Sequence, residues 1–160
     1  MGVPTPRFRL APRLASIAST DGDAIDLLES IAEAHERGEI SDGELAFIVA
    51  HELAHIAEKH GQSNREHEIA ASLQAADILE KAGFSRRDAS SALRKIRKLK
   101  ATARTRGEIN VAESASEASA HDYYEEAADQ IDGVAPATAK APAKKRSLVP
   151  LARGVTQNGS

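Results

Sequence analysis

The apolar positions of the chain recur at helical spacing in four successive stretches. In the first, Ile25, Leu28, Ile31 and Ala32 share one face, which predicts a helix from about Asp23 to Arg37 that Gly38 ends. The second begins at Ser41. Ser41 and Glu44 stand in capping-box register, each side chain placed to satisfy a free amide of the first turn. Leu45, Ile48, Val49, Leu53 and Ile56 then repeat, and the helix is expected to end near His60–Gly61. The third runs from about Arg65 to Ala82 with Ile69, Leu73, Ala76 and Leu79 inward and Gly83 as its cap. The fourth opens on Ser85, with Asp88 completing a second capping box, and carries Leu93, Ile96 and Leu99. A short helix also fits His121 to Ile131. No segment alternates strongly enough for a strand; Arg7-Phe8-Arg9-Leu10 is the best candidate and is short.

Composition supports helices over sheets. Aromatics are 3% of the 160 residues, and much of the 41% hydrophobic content is alanine. A core of Leu, Ile and Ala suits packed helices better than a β-sandwich. The absence of cysteine excludes disulfides, thiolate metal sites and cysteine nucleophiles. The net charge of −3 selects no partner. No apolar run approaches the roughly 18 residues of a membrane span. Met1 to Arg13 lacks the apolar stretch of a secretory signal, so a cytoplasmic protein is expected. Composition shifts near residue 100, towards Ala, Ser, Glu, Thr and Pro with few large apolar side chains. The expected organisation is therefore an N-terminal extension over 1–20 with the one short strand, a helical domain over 21–100, and a low-complexity tail over 101–160 that is expected to be disordered.

The second helix contains His51-Glu52-Leu53-Ala54-His55, an HExxH motif. Residues four apart share a helix face, so both imidazoles reach one metal ion. Glu52 is placed for a carboxylate to meet a water on that metal. Zinc lowers the pKa of such a water and the carboxylate takes its proton, which prepares attack on a carbonyl. The alternative is two surface histidines on a polar helix face. A zinc site of this class needs a third protein ligand. Glu58 and Gly61 occupy the positions where an HExxHxxGxxH pattern needs Gly and His, so a carboxylate from another helix is the better candidate. Glu68 is preferred, because a short connection makes the second and third helices antiparallel neighbours; Glu66, on a different face, is its rival. His60 and His67 are not assigned as ligands, and His35 and His121 belong to no motif.

The stretch from Ile40 to Ala89 resembles the HtpX and CAAX prenyl protease family of zinc metallopeptidases. Asp42 to His60 is similar to that family's HExxH helix, Arg65-Glu-His-Glu68-Ile-Ala-Ala-Ser72 to its ExxAD region, and Lys81-Ala-Gly-Phe-Ser85 to the AGYDP that closes the following helix. The resemblance implies a small zincin-like (gluzincin) core, and the residues themselves predict about four helices with few or no strands. It implies Zn2+ as cofactor, His51, His55 and Glu68 as its ligands, Glu52 as general base, and a protein or peptide as substrate. The family's aspartate is Ser72 here, a neighbour of the ligands that brings no charge. Twelve residues separate His55 from Glu68, a short gap that also resembles the ImmA/IrrE metallopeptidases. The family's upstream strands, which hold substrate at a sheet edge, are not evident.

Two expectations follow. The first is a zinc metalloendopeptidase. The second is a weak or inactive zinc-binding zincin-like domain with an interaction or regulatory role. Tyr123, Tyr124 and His67 are the open candidates for stabilising a developing oxyanion. Arg86 to Arg106 holds nine Lys or Arg and one acid, Asp88. Such a stripe attracts nucleic acid, but no aromatics interleave with it, and it reads rather as a solvated helix face on which acidic residues of the tail could fold back. Lys144-Lys145-Arg146 is a small basic cluster that signifies little by itself.

Overall fold

The computed structural model describes residues 5–58, 64–109 and 121–133. The protein is mainly α: the described residues form five helices and a three-stranded sheet. The strands are β1 (Arg7–Ala11), β2 (Ala18–Thr20) and β3 (Ala24–Leu28), and the helices are α1 (Glu29–Glu36), α2 (Asp42–Glu58), α3 (Arg65–Lys81), α4 (Arg86–Thr105) and α5 (His121–Ile131). The sheet order is β1-β3-β2, with β1 parallel and β2 antiparallel to β3. The helix at His121 to Ile131 forms as expected, and the described helical fold runs past residue 100, since α5 packs on α3 and α4. The expectations for His60 and Gly61, for Lys144-Lys145-Arg146 and for 134–160 fall outside the described residues.

The expected first helix is corrected in its first half. Ala24-Ile25-Asp26-Leu27-Leu28 is the central strand, and the helix begins only at Glu29. Ala24, Ile25, Leu27 and Leu28 are all buried, because β3 has a strand on each side and helices above it. A strand buried on both faces loses its alternation, and a short apolar run then imitates a helix face. The strands that seemed missing are therefore present. β2 is an edge strand, and it packs beside α2.

Ala76 and Leu79 of the third helix are buried as expected, whereas Ile69 and Leu73 are only partly buried against the core. Ala71, Ser72, Ala75, Ala76 and Leu79 form the buried stripe, with Ile69 and Leu73 at its margins. Small side chains let α3 lie close against α2, which brings polar groups of α3 inward rather than the larger Ile69 and Leu73. Asn64 caps α3 by accepting from the His67 amide at 2.9 Å. Gly38 and Gly83 follow α1 and α3 at φ of 75° and 90°, the left-handed conformation that a glycine adopts without strain.

Both capping boxes form. Ser41 N–H donates to Glu44 at 2.9 Å and Glu44 N–H to Ser41 Oγ at 3.1 Å. Ser85 N–H likewise donates to Asp88 at 3.1 Å. Glu44 does more than cap. It is buried, and it accepts from Ser91 Oγ at 2.5 Å and Lys95 Nζ at 2.7 Å, so one carboxylate clasps α2 to α4. Gly43 beside it leaves no room for a Cβ, which would lie 2.4 Å from the Asp88 carboxyl. The α2 start is thus set by a close approach of two helix N-termini.

Burial raises the Glu44 pKa, but hydrogen bonds from Lys95, Ser91 and Ser41 outweigh it and hold the carboxyl below its ordinary value. A depressed carboxylate stabilises the fold fully above its unfolded pKa, and that stability is lost as pH falls through the folded value. Glu44→Gln is expected to cost about 1–3 kcal/mol at neutral pH. The gap between parent and variant in chemical denaturation should then narrow below about pH 4.5. A gap that does not depend on pH would remove the charge from this account.

Part of the basic stripe of α4 is taken up by ion pairs. Arg86 pairs with Asp77 and, at 3.4 Å, with Glu80. Arg94 reaches Asp129 at 3.0 Å and Asp132 at 2.8 Å, so acids at the α5 end of the chain do fold back on it. No described helix is long and apolar enough to cross a membrane.

Candidate metal centre

The site rests on two helices. Ser72 approaches His51, and Glu68 approaches His55, so the residue numbers of α2 rise as those of α3 fall. The helices are therefore antiparallel, and the face carrying both histidines of α2 meets the start of α3. Their connection includes residues 59–63, outside the described part.

Three side chains converge there. His51 Nε2 lies 3.1 Å from Glu68 Oε2 and 3.1 Å from His55 Nε2. His55 Nε2 lies 3.5 Å from Glu68 Oε1. One ligand atom from each of the three falls within 4.8 Å of the others. The three side chains are only 12–14% exposed. Glu66, the rival, is exposed at the start of α3. His35 binds Asp42 at 2.7 Å, away from the cluster.

This donor set suits a divalent cation. Two nitrogens bound at about 2.0–2.1 Å to one tetrahedral zinc lie roughly 3.3 Å apart, close to the spacing found. Without a cation the three groups need a proton between them. Burial disfavours a charged His55, but the Glu68 hydrogen bond and the Glu68 and Glu52 charges prevail, and its pKa is raised. A metal ion supplies the positive charge that this proton otherwise brings.

Ser72 is fully buried behind His51. Its hydroxyl donates to the Glu68 carbonyl one turn back at 2.8 Å. The oxygen lone pairs then face His51 Nδ1 across a long 3.4 Å contact. This assigns the His51 proton to Nδ1 and leaves the Nε2 lone pair in the cluster. Phe47, one turn before His51, sets that ring from the other side, with centroids 6.1 Å apart.

Glu52 is half-buried and shares a field with the cluster. Desolvation raises its pKa, against the opposing pull of His51, His55 and Lys100. Sequence reasoning gave Lys100 no part in the site. It is one of nine basic residues in its stripe, and nothing local in the sequence distinguishes it from the others. Lys100 Nζ donates to Tyr124 Oη at 2.7 Å, and Glu68 and Glu52 act on its charge. Tyr123 and Tyr124 of α5 are both buried beside it. His67 lies half-buried in the first turn of α3.

No curated protein and no solved structure matches the chain. One family model does. It matches residues 19–141, from within β2 past the end of α5, with all the clustered groups inside the matched span. A match over most of the chain, with the histidine pair and the carboxylate gathered where a metal-dependent peptidase needs them, makes this protein a member of peptidase family M48.

Proposed function

We propose that the protein is a zinc-dependent metallopeptidase that hydrolyses peptide bonds within proteins or peptides. Within family M48 we read it as similar to the HtpX and CAAX prenyl protease group, on the Lys81-to-Ser85 turn that follows the third-ligand helix. The observation that carries the reading is the convergence of His51 Nε2, His55 Nε2 and the Glu68 carboxylate. In this reading these three hold zinc, and Ser72 orients His51. Zinc, when bound, lowers the pKa of a coordinated water and polarises a substrate carbonyl.

The residues supply the rest. Glu52 takes the proton of the attacking water as the water oxygen bonds to the carbonyl carbon, and the C=O π pair moves to the carbonyl oxygen. As the C–N bond breaks, Glu52 returns the proton to the leaving nitrogen. The outer edge of β2, which ends the sheet among the described residues and lies beside α2, is the edge on which an extended peptide would add as a strand.

A second reading, a metal-holding domain without turnover, draws on Ser72. Its hydroxyl brings no charge to His51 and contacts it at 3.4 Å. Loss of such a partner typically costs about 10–100-fold in affinity or activity. The β2 edge beside α2 favours the peptidase.

Elemental analysis tests the metal. The parent is expected to carry one zinc per chain, and Glu68→Ala to lose most of it. A parent free of zinc after reconstitution, or a variant that retains it fully, would overturn this ligand set.

A further inference from the structure

Away from the metal ligands, α1 and α4 leave a cavity of about 360 Å³ between them, at the lower end of the size of small-molecule sites. Its floor is apolar, with Ile31 and Ala34 from α1 and Leu99 and Ala103 from α4. Its mouth is basic. Arg37, Lys95, Lys98 and Arg106 line it beside a single carboxylate, Glu39. On α4 the spacing explains the arrangement. Lys95, Lys98, Leu99, Thr102 and, at the helix end, Arg106 recur every three or four residues, so they share one face. The charges at the mouth do not balance. Glu39 is engaged by Arg37 Nε at 2.8 Å, and Lys95 by the buried Glu44 at 2.7 Å. Arg106 meets Glu108 only at 4.0 Å. Lys98 is exposed and enters no ion pair among the described residues. Thr102, one turn from Lys98 and one from Arg106, adds a hydroxyl to the rim.

We propose that this cavity binds a medium-chain fatty carboxylate, with its alkyl chain on the Ile31, Ala34, Leu99 and Ala103 floor and its headgroup between Lys98 and Arg106. Burial of apolar surface draws the chain in. The guanidinium of Arg106 suits a carboxylate, to which it can donate two N–H bonds. The two halves of the site need each other. Exposed cations hold a bare anion weakly in water, and an uncharged chain leaves the cations unused. The floor also argues against a peptide as the occupant. It offers no partner for buried amide groups, whereas an alkyl chain has none to satisfy. The inference is independent of the peptidase reading. It uses none of His51, Glu52, His55 or Glu68, and it requires no metal.

The test is calorimetric titration of the full chain with sodium hexanoate, octanoate and decanoate, each below its micellar concentration. One saturable site is expected, tightening about threefold to fourfold per added methylene. Octan-1-ol, which keeps the chain without the charge, should bind about tenfold more weakly than octanoate, and acetate should not bind measurably. Lys98→Glu and Arg106→Glu are each expected to weaken octanoate about tenfold. Both positions are exposed, so their melting temperatures should stay near the parent's. Arg97→Glu is the control: it is exposed on the same helix but does not line the cavity, and it should bind octanoate almost as the parent does. No heat with millimolar octanoate would overturn the proposal. So would an affinity that ignores chain length, or one that Arg97→Glu lowers as much as Lys98→Glu, because either result reduces the mouth to general attraction of anions. Octan-1-ol binding as well as octanoate would remove the rim from the site. A short peptide ending in leucine, or a DNA duplex, that displaces octanoate at lower concentration than decanoate does would assign the cavity to that ligand instead.

Discussion

Glu52→Gln is expected to abolish measurable proteolysis, lowering kcat by about 100- to 10,000-fold, while zinc content stays at the parent's level. Glutamine keeps the shape of glutamate and can still accept a hydrogen bond through its amide oxygen. It cannot take a proton from water at neutral pH. Glu52 is not among the converging ligand atoms, so the donor set of His51, His55 and Glu68 is untouched. The substitution also replaces a carboxylate that burial already disfavours as an anion, so the melting temperature should hold or rise. Casein cleavage, zinc analysis and a thermal melt on the same preparation separate the outcomes. A variant as active as the parent would move the general base elsewhere. A variant whose biological role survives without cleavage would favour the metal-holding reading instead.

The site was legible in proportion to how local it is. His51 and His55 lie four apart on one helix, so their spacing alone puts them on a common face, and Glu52 follows directly beside it. Glu68 required one tertiary inference, the antiparallel pairing of neighbouring helices, and the exposed position of Glu66 agrees with the choice. Ser72 could be located only through the family resemblance. Lys100 had no local mark, because its neighbours Arg97 and Lys98 on α4 are exposed and chemically similar. What singles it out is α5, which arrives from beyond a composition boundary that looked like the end of the fold.

The fold shows the same gradient. Ser41–Glu44 and Ser85–Asp88 are local patterns with a direct physical meaning, and both boxes form. β3 was misread because Ala24 to Leu28 is apolar on both faces and runs directly into α1. β2 is three residues, Ala18-Ser19-Thr20, and a segment that short carries no periodicity. Its existence depends on the pairing of Ala18 with Leu27 and Thr20 with Ile25, which is a property of the folded chain. Three residues thus make an edge of the sheet that packs against α2, the helix that carries the histidine pair.

Phe47→Ala is expected to destabilise the protein by about 3–5 kcal/mol, a large fraction of the roughly 5–15 kcal/mol that holds a domain together. Phe47 is fully buried in α2, in the core cluster that Leu28, Ile31, Leu79 and Leu93 also join. Its removal leaves a cavity that a core rich in alanine cannot readily close, because short side chains have little reach to refill it. The cost should fall on the metal site as well. Phe47 packs one turn before His51 and limits the tilt of that imidazole, whose Nδ1 has the long Ser72 contact and whose Nε2 faces Glu68 and His55. Zinc affinity is therefore expected to drop with stability, although Phe47 touches no metal. Phe8→Ala is the control: Phe8 lies 58% exposed on β1, and its loss should cost within about 0.5 kcal/mol. Denaturant unfolding of the zinc-loaded and zinc-free forms resolves the two effects. If Phe47→Ala lowers the stability of both forms equally, zinc affinity is unchanged, and the ring supports the core but not the imidazole. If the loaded form loses more, the packing beneath His51 is part of what makes the site able to hold its metal.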